Sequence, residues 1–89
     1  MWGKIVVTIE FKLFAGLMVH LPPGTTGHGV SVEVTEGTTI PELIDRFKVP
    51  PEKAHLVVCN GVIIHRVQRE RYQLCDGDVI AMWPPVAGG

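Results

Sequence analysis

Thr39-Ile40-Pro41-Glu42-Leu43-Ile44-Asp45-Arg46-Phe47 decides the fold, because it is the clearest helical signal in a chain otherwise patterned for strands. Thr39 and Glu42 have the spacing of a capping box. Pro41 is tolerated in the first turn, where the backbone N–H has no helical partner to lose. Ile40, Leu43, Ile44 and Phe47 fall at i, i+3, i+4 and i+7, one continuous apolar stripe. Pro50-Pro51 is the expected stop. So short a helix is not stable alone, and its stripe calls for a sheet to lie on.

The flanking segments supply that sheet. Residues 4–14 alternate, with Ile5, Val7, Ile9, Phe11 and Leu13 on one face and Lys4, Thr8, Glu10 and Lys12 on the other. That is the pattern of a half-buried strand. Ala15 to Gly29, carrying Pro22-Pro23-Gly24, reads as a long exposed connection whose apolar first half can pack. Val30, Val32 and Val34 alternate with polar residues and form a second strand. Beyond the helix, Leu56-Val57-Val58-Cys59 and Val62-Ile63-Ile64 flank Asn60-Gly61, the strongest short hairpin signal. Residues 65–73 are charged and read as an exposed connection. Asp76-Gly77-Asp78 is a turn, and Val79-Ile80-Ala81-Met82-Trp83 is a final strand closed by Pro84-Pro85.

The first and last strands carry the richest apolar runs, which places them centrally and side by side. The order strand, strand, helix, strand, strand, strand predicts an α+β protein: a mixed five-stranded sheet with one main helix packed on one face. That is the β-grasp, or ubiquitin-like, architecture. Residues 1–83 are expected to form the domain, and 84–89 a flexible C-terminal tail ending in Gly88-Gly89.

Composition narrows the function classes. With 89 residues, 46% of them hydrophobic, the chain suits one small foldable domain. A net charge of -1 argues against nucleic-acid binding. No run approaches the roughly 20 apolar residues of a membrane span, and the start Met1-Trp2-Gly3-Lys4 lacks the apolar core of a secretory signal. Cys59 and Cys75 fit neither a redox pair nor a zinc motif and read as two buried reduced thiols in a cytoplasmic protein, a disulfide between them being the alternative that spacing alone does not decide. His20, His28, His55 and His65 show no metal-ligand spacing, so no metal site is expected. Asp76-Gly77-Asp78 lacks the other ligands of a calcium loop, and no Lys-Ser/Thr follows the glycines of 24–29 as a phosphate loop requires. Trp2 and Trp83 become neighbours if the first and last strands pair.

In this order of elements the chain resembles the ubiquitin-related MoaD/ThiS family of sulfur carriers, in particular its molybdopterin synthase small-subunit branch. The resemblance rests on Leu74, Asp76-Gly77-Asp78-Val79-Ile80-Ala81, the aromatic Trp83 and the run Pro84-Pro85-Val86-Ala87-Gly88-Gly89. Phe14-Ala15 and Asn60-Gly61 also fit. Ala15 to Gly29 departs from the charged, helix-like stretch common in the family, which leaves room for a paralogue serving another pathway, tungsten cofactor included.

The resemblance implies a division of labour. An E1-like ATP-dependent adenylyltransferase activates the Gly89 carboxylate, and a sulfur donor enzyme displaces AMP to leave a thiocarboxylate. The sulfur then attacks a pterin precursor held by the large catalytic subunit of molybdopterin synthase. The chain binds no cofactor; ATP belongs to the activating enzyme. It carries the sulfur nucleophile and no acid–base residues of its own, and it needs neither nucleic acid nor membrane. Gly88 and Gly89 are expected to pass a channel too narrow for a side chain. Trp83, Pro84, Pro85, Val86 and Ala87 are the expected partner-binding residues. Residues 84–89, if extended, reach about 20 Å. The alternatives are a carrier for another pathway, such as thiamin thiazole synthesis, and a ubiquitin-like protein modifier or interaction module.

Overall fold

The structure, a computed structural model, describes residues 5–85. Val6–Leu13 (β1) pairs antiparallel with Gly29–Thr35 (β2) and parallel with Val79–Trp83 (β5). On its other side β5 pairs antiparallel with Leu56–Cys59 (β3), which carries the two-residue strand Val62–Ile63 (β4). The sheet order is β2-β1-β5-β3-β4. The mixed five-stranded β-grasp sheet expected from the sequence is therefore present, with β1 and β5 adjacent at its centre.

Helix α1 (Ile40–Arg46) lies on one face. Its Ile40, Leu43 and Ile44 join Val7, Ile9, Phe11, Leu13, Val57, Ile80 and Met82 in one buried core. Each such side chain contributes roughly 1.5–3 kcal/mol by leaving water, which is what holds so short a helix. At its start, the Thr39 N–H donates to Glu42 Oε1 (2.8 Å), and the Thr39 hydroxyl donates to the same oxygen (3.1 Å).

Several local readings are corrected. Ile5 is 60% exposed, because the buried alternation begins only at Val7. Helix α1 does not run to Pro50-Pro51. It ends at Phe47, where Lys48 takes φ 59°, the Lys48 N–H donates to the Asp45 carbonyl (3.0 Å) and the Val49 N–H to the Ile44 carbonyl (3.0 Å). Those two bonds are a Schellman stop with lysine where glycine is usual. The connection after β1 starts with a 3-10 turn, Ala15–His20, that buries Leu17. The return strand β4 stops at Ile63, and Ile64 turns into the core.

Residues 65–73 are not a plain exposed connection. They contain a short helix, α2 (Arg66–Arg69), and Arg69 is buried. Its Nη1 donates to the Ala54 carbonyl (2.8 Å) and its Nη2 to the His55 carbonyl (3.1 Å). The aliphatic stem suits the interior while the head group finds carbonyls. Burial, aided by the nearby charge of Arg66, lowers the Arg69 pKa. Of the thiols only Cys59 is buried; Cys75 is exposed, since the turn at 75–78 carries it to the surface.

Candidate functional site

The root of the tail is built where β5 runs out of ladder. The Phe14 N–H donates to the Met82 carbonyl (3.1 Å) on one side, and the His55 N–H donates to the Trp83 carbonyl (3.0 Å) on the other. The next two residues, Pro84 and Pro85, have no N–H to continue either ladder. Sheet pairing therefore stops at Trp83, at the centre of the sheet. Arg69 reinforces this point indirectly, because the His55 residue that holds Trp83 is itself held by Arg69 Nη2.

Trp83 is half-buried and lies flat on Phe14, with ring centroids 4.6 Å apart and planes 5° from parallel. His28, from the loop before β2, stacks on Phe14 in turn (4.7 Å, 20°). The predicted partner-binding residue Trp83 thus sits in an aromatic stack at the tail root. Pro84 is half-buried beside it and Pro85 is exposed. Val86, Ala87, Gly88 and Gly89 lie outside the described residues, as does the expected neighbour Trp2.

The sheet face turned away from α1 is divided in two. Its β1–β2 half presents Thr8, Glu10, Lys12, Ser31 and Glu33, all polar, with the exposed Val6 at the far end of β1. Its β5–β3–β4 half presents Ala81, Trp83, Leu56, Val58 and Ile63. The register aligns Lys12, Ala81, Val58 and Ile63 across the strands, so polarity changes abruptly between β1 and β5. An apolar strip running to the tail root is the composition expected of an interface centre. Sequence reading found its β5 edge and missed Leu56, Val58 and Ile63, since their alignment depends on pairing register. Phe14 and His28 were likewise missed as members of the stack.

At the other end of β5, Asp78 is buried and collects three donors. Asn60 Nδ2 donates to Oδ1 (2.9 Å); the Cys75 N–H (2.9 Å) and the Tyr72 hydroxyl (3.3 Å) donate to Oδ2. The Asn60 side-chain oxygen accepts from the Val79 N–H (2.9 Å), and the Asn60 N–H donates to the Val79 carbonyl (2.9 Å). Asn60 and Gly61 both have positive φ (52° and 83°), as a type I′ turn requires. Cys59 and the Tyr72 hydroxyl share a hydrogen bond. Burial pushes both the Cys59 thiol and the Tyr72 phenol above their ordinary ranges. A raised thiol is a poor nucleophile at neutral pH, so Cys59 belongs to the scaffold. Among the described residues no cluster of His, Cys, Asp or Glu could hold a metal ion, and no helix is long and apolar enough to cross a membrane.

Residues 24–89 match the profile of the ThiS family, a match that includes Gly88-Gly89. No curated protein matches the sequence significantly. Several solved structures share the fold, and three of them are as follows. A candidate molybdopterin converting factor, subunit 1, from Pyrococcus furiosus is 24% identical, with TM-score 0.63, covering 90% of this chain and 99% of that one. The thiamine biosynthesis protein ThiS of Geobacter metallireducens is 20% identical, with TM-score 0.58 and coverage of 90% and 99%. The small archaeal modifier protein 1 of Methanosarcina acetivorans is 22% identical, with TM-score 0.62 and coverage of 96% and 99%.

Proposed function

The chain belongs to the ThiS family, and from that premise we propose that it is a sulfur carrier whose Gly89 carboxylate is converted to a thiocarboxylate for molybdopterin synthesis. The observation that carries the reading is the tail root. A central strand, clamped on both sides as far as Trp83, hands the chain over to Pro84-Pro85 and then to residues matched by the family profile.

The chemistry follows from what a carboxylate lacks. Its oxygen is a poor leaving group, so the Gly89 oxygen attacks the α-phosphorus of ATP and pyrophosphate departs. Hydrosulfide released by a sulfur donor then attacks the acyl carbon, AMP leaves with the C–O bonding pair, the S–H proton goes to solvent, and the thiocarboxylate remains. Its sulfur is a soft nucleophile for an activated carbon of a pterin precursor. The partner supplies positioning and charge stabilisation; this chain supplies a carboxylate on a tether whose first two residues, both proline, have few conformers. Pro84 and Pro85 reduce the entropy lost when the tail threads into a buried site. The apolar half of the sheet face, with Trp83 at its edge, suits docking by the large catalytic subunit.

The Pro84-Pro85-Val86 lead-in favours the molybdopterin branch over a thiamin-pathway carrier. The likeness to a small archaeal modifier protein, as close as that to the converting-factor subunit, supports a second reading in which activated Gly89 is joined to a lysine amine. Intact mass after incubation with an E1-like enzyme, ATP and a sulfur source tests the first reading. The expected gain is replacement of one oxygen by sulfur, lost on deleting Gly89 while the fold persists. A Gly89-deleted protein that still restored cofactor synthesis would sink the sulfur-carrier reading.

A further inference from the structure

Val19 is 80% exposed in the 3-10 turn Ala15–His20, close to the first residues of the tail. A large apolar side chain so placed costs solubility and contributes nothing to the core. The turn that carries it is fixed in position. Leu17 is buried, its N–H donates to the Phe14 carbonyl (3.1 Å), and the Leu21 N–H donates to the Met18 carbonyl (3.1 Å). Phe14 itself is tied to β5 through the Met82 carbonyl.

Leu17, Val19, His20, Lys53, Pro84 and Pro85 line a cleft of about 390 Å³. Its walls are apolar, Lys53 supplies a positive charge at the rim, and no carboxylate lines it. The one ion pair among the described residues joins Lys12 and Glu10, so Lys53 has no acidic partner there.

One wall of this cleft is the tail root. Residues 86–89, fully extended, reach only about 13 Å. A protein that takes the Gly89 carboxylate into its own active site must therefore approach within that distance of Pro85, and the cleft lies in its path. We propose that the cleft is the docking point for the adenylating enzyme. An apolar side chain of that enzyme seats between Val19 and Pro84-Pro85, with carboxylates beside it facing Lys53. The inference rests on the reading of Gly89 as the adenylated end. It does not depend on the pathway, because sulfur transfer and protein conjugation share the adenylation step. The apolar contact supplies affinity, and the charge pair supplies orientation and association rate.

The test is ATP–pyrophosphate exchange by the E1-like enzyme of the same organism, with this full chain as the varied substrate. Val19→Asp is expected to raise KM by about tenfold with kcat unchanged, the signature of a lost uniform binding contact. Lys53→Glu is expected to raise KM by roughly threefold, and Lys53→Arg to restore it. Both positions are exposed, and a thermal melt confirms that each variant folds. Val67→Asp, at an 85% exposed position on α2 that does not line the cleft, serves as the control and should leave KM unchanged. Wild-type exchange with unaltered KM in Val19→Asp and Lys53→Glu overturns the docking point alone. An equal rise in Val67→Asp overturns its location. No exchange with the wild-type chain overturns the adenylation reading, and the docking point with it.

Discussion

Where β5 joins the sheet, three side-chain and backbone donors converge on the buried carboxylate of Asp78; where it leaves, Trp83 is held by backbone pairing and an aromatic stack. The first end is polar, buried and saturated. The second is apolar, half-open and stripped of donors by Pro84 and Pro85. Fixing a register needs directional bonds, which a buried carboxylate with several donors provides. Presenting a tail, the role proposed for the second end, needs the opposite: a surface that sheds water readily and a backbone with nothing left to pair. Five residues separate scaffold from delivery.

If that division is right, substitutions at the two ends should part into stability effects and functional effects. The largest stability loss is expected from Asp78→Ala, which strands the Asn60 amide and the Cys75 N–H and leaves the Tyr72 hydroxyl only its Cys59 partner. A cost of about 3 kcal/mol is expected by chemical denaturation, while adenylation per folded molecule stays at the wild-type level. Comparable stability in this variant would place the register elsewhere.

A smaller effect separates the ends by pH. Cys59 and Tyr72 have folded pKa values raised by burial above ordinary values of 9.0 and 10.0. Each group's contribution is therefore fully present below the ordinary value and is lost as pH rises toward the folded one, because the unfolded chain ionises first. Stability should begin to fall above about pH 9. Tyr72→Phe should cost about 1 kcal/mol at neutral pH and flatten the alkaline slope. An unchanged slope would mean that the phenol ionises in the folded protein as easily as in the unfolded one.

The smallest effect on stability is expected at the delivery end. Replacing Pro84 and Pro85 together by glycine should change the unfolding free energy by less than about 1 kcal/mol. It should nevertheless raise the KM for adenylation several-fold, since a looser tail loses more entropy on threading. A large stability loss instead would make the prolines part of the scaffold and erase the contrast.

How much of this could be read beforehand depends on the length scale of each signal. Helix α1 was legible because Ile40, Leu43, Ile44 and Phe47 share one period. Its end was not, because Lys48 takes a conformation usually marked by glycine. The central pairing of β1 with β5 followed from their apolar runs. Helix α2 escaped notice because its anchor is Arg69, which composition assigns to the surface and which two carbonyls draw inside. The tail root was legible at Trp83-Pro84-Pro85. Its lateral supports, Phe14, His28 and His55, sit at strand ends and in connections with no period to betray where they fold back.

The position of β5 also bears on when the tail becomes available. Thr8 on β1 is joined to Asp76 and Gly77 across nearly the whole chain, and β5 fills the central slot of the sheet. Contacts of such sequence separation form late and slow the folding of a small domain. During synthesis, β1 and β2 wait for a central neighbour that is made after every other strand of the sheet. The sheet closes only once Val79–Trp83 is available, so a half-made chain has no ordered platform from which to offer its end. On the proposed reading of Gly89, late closure couples the completeness of the fold to the moment its carboxylate can be used.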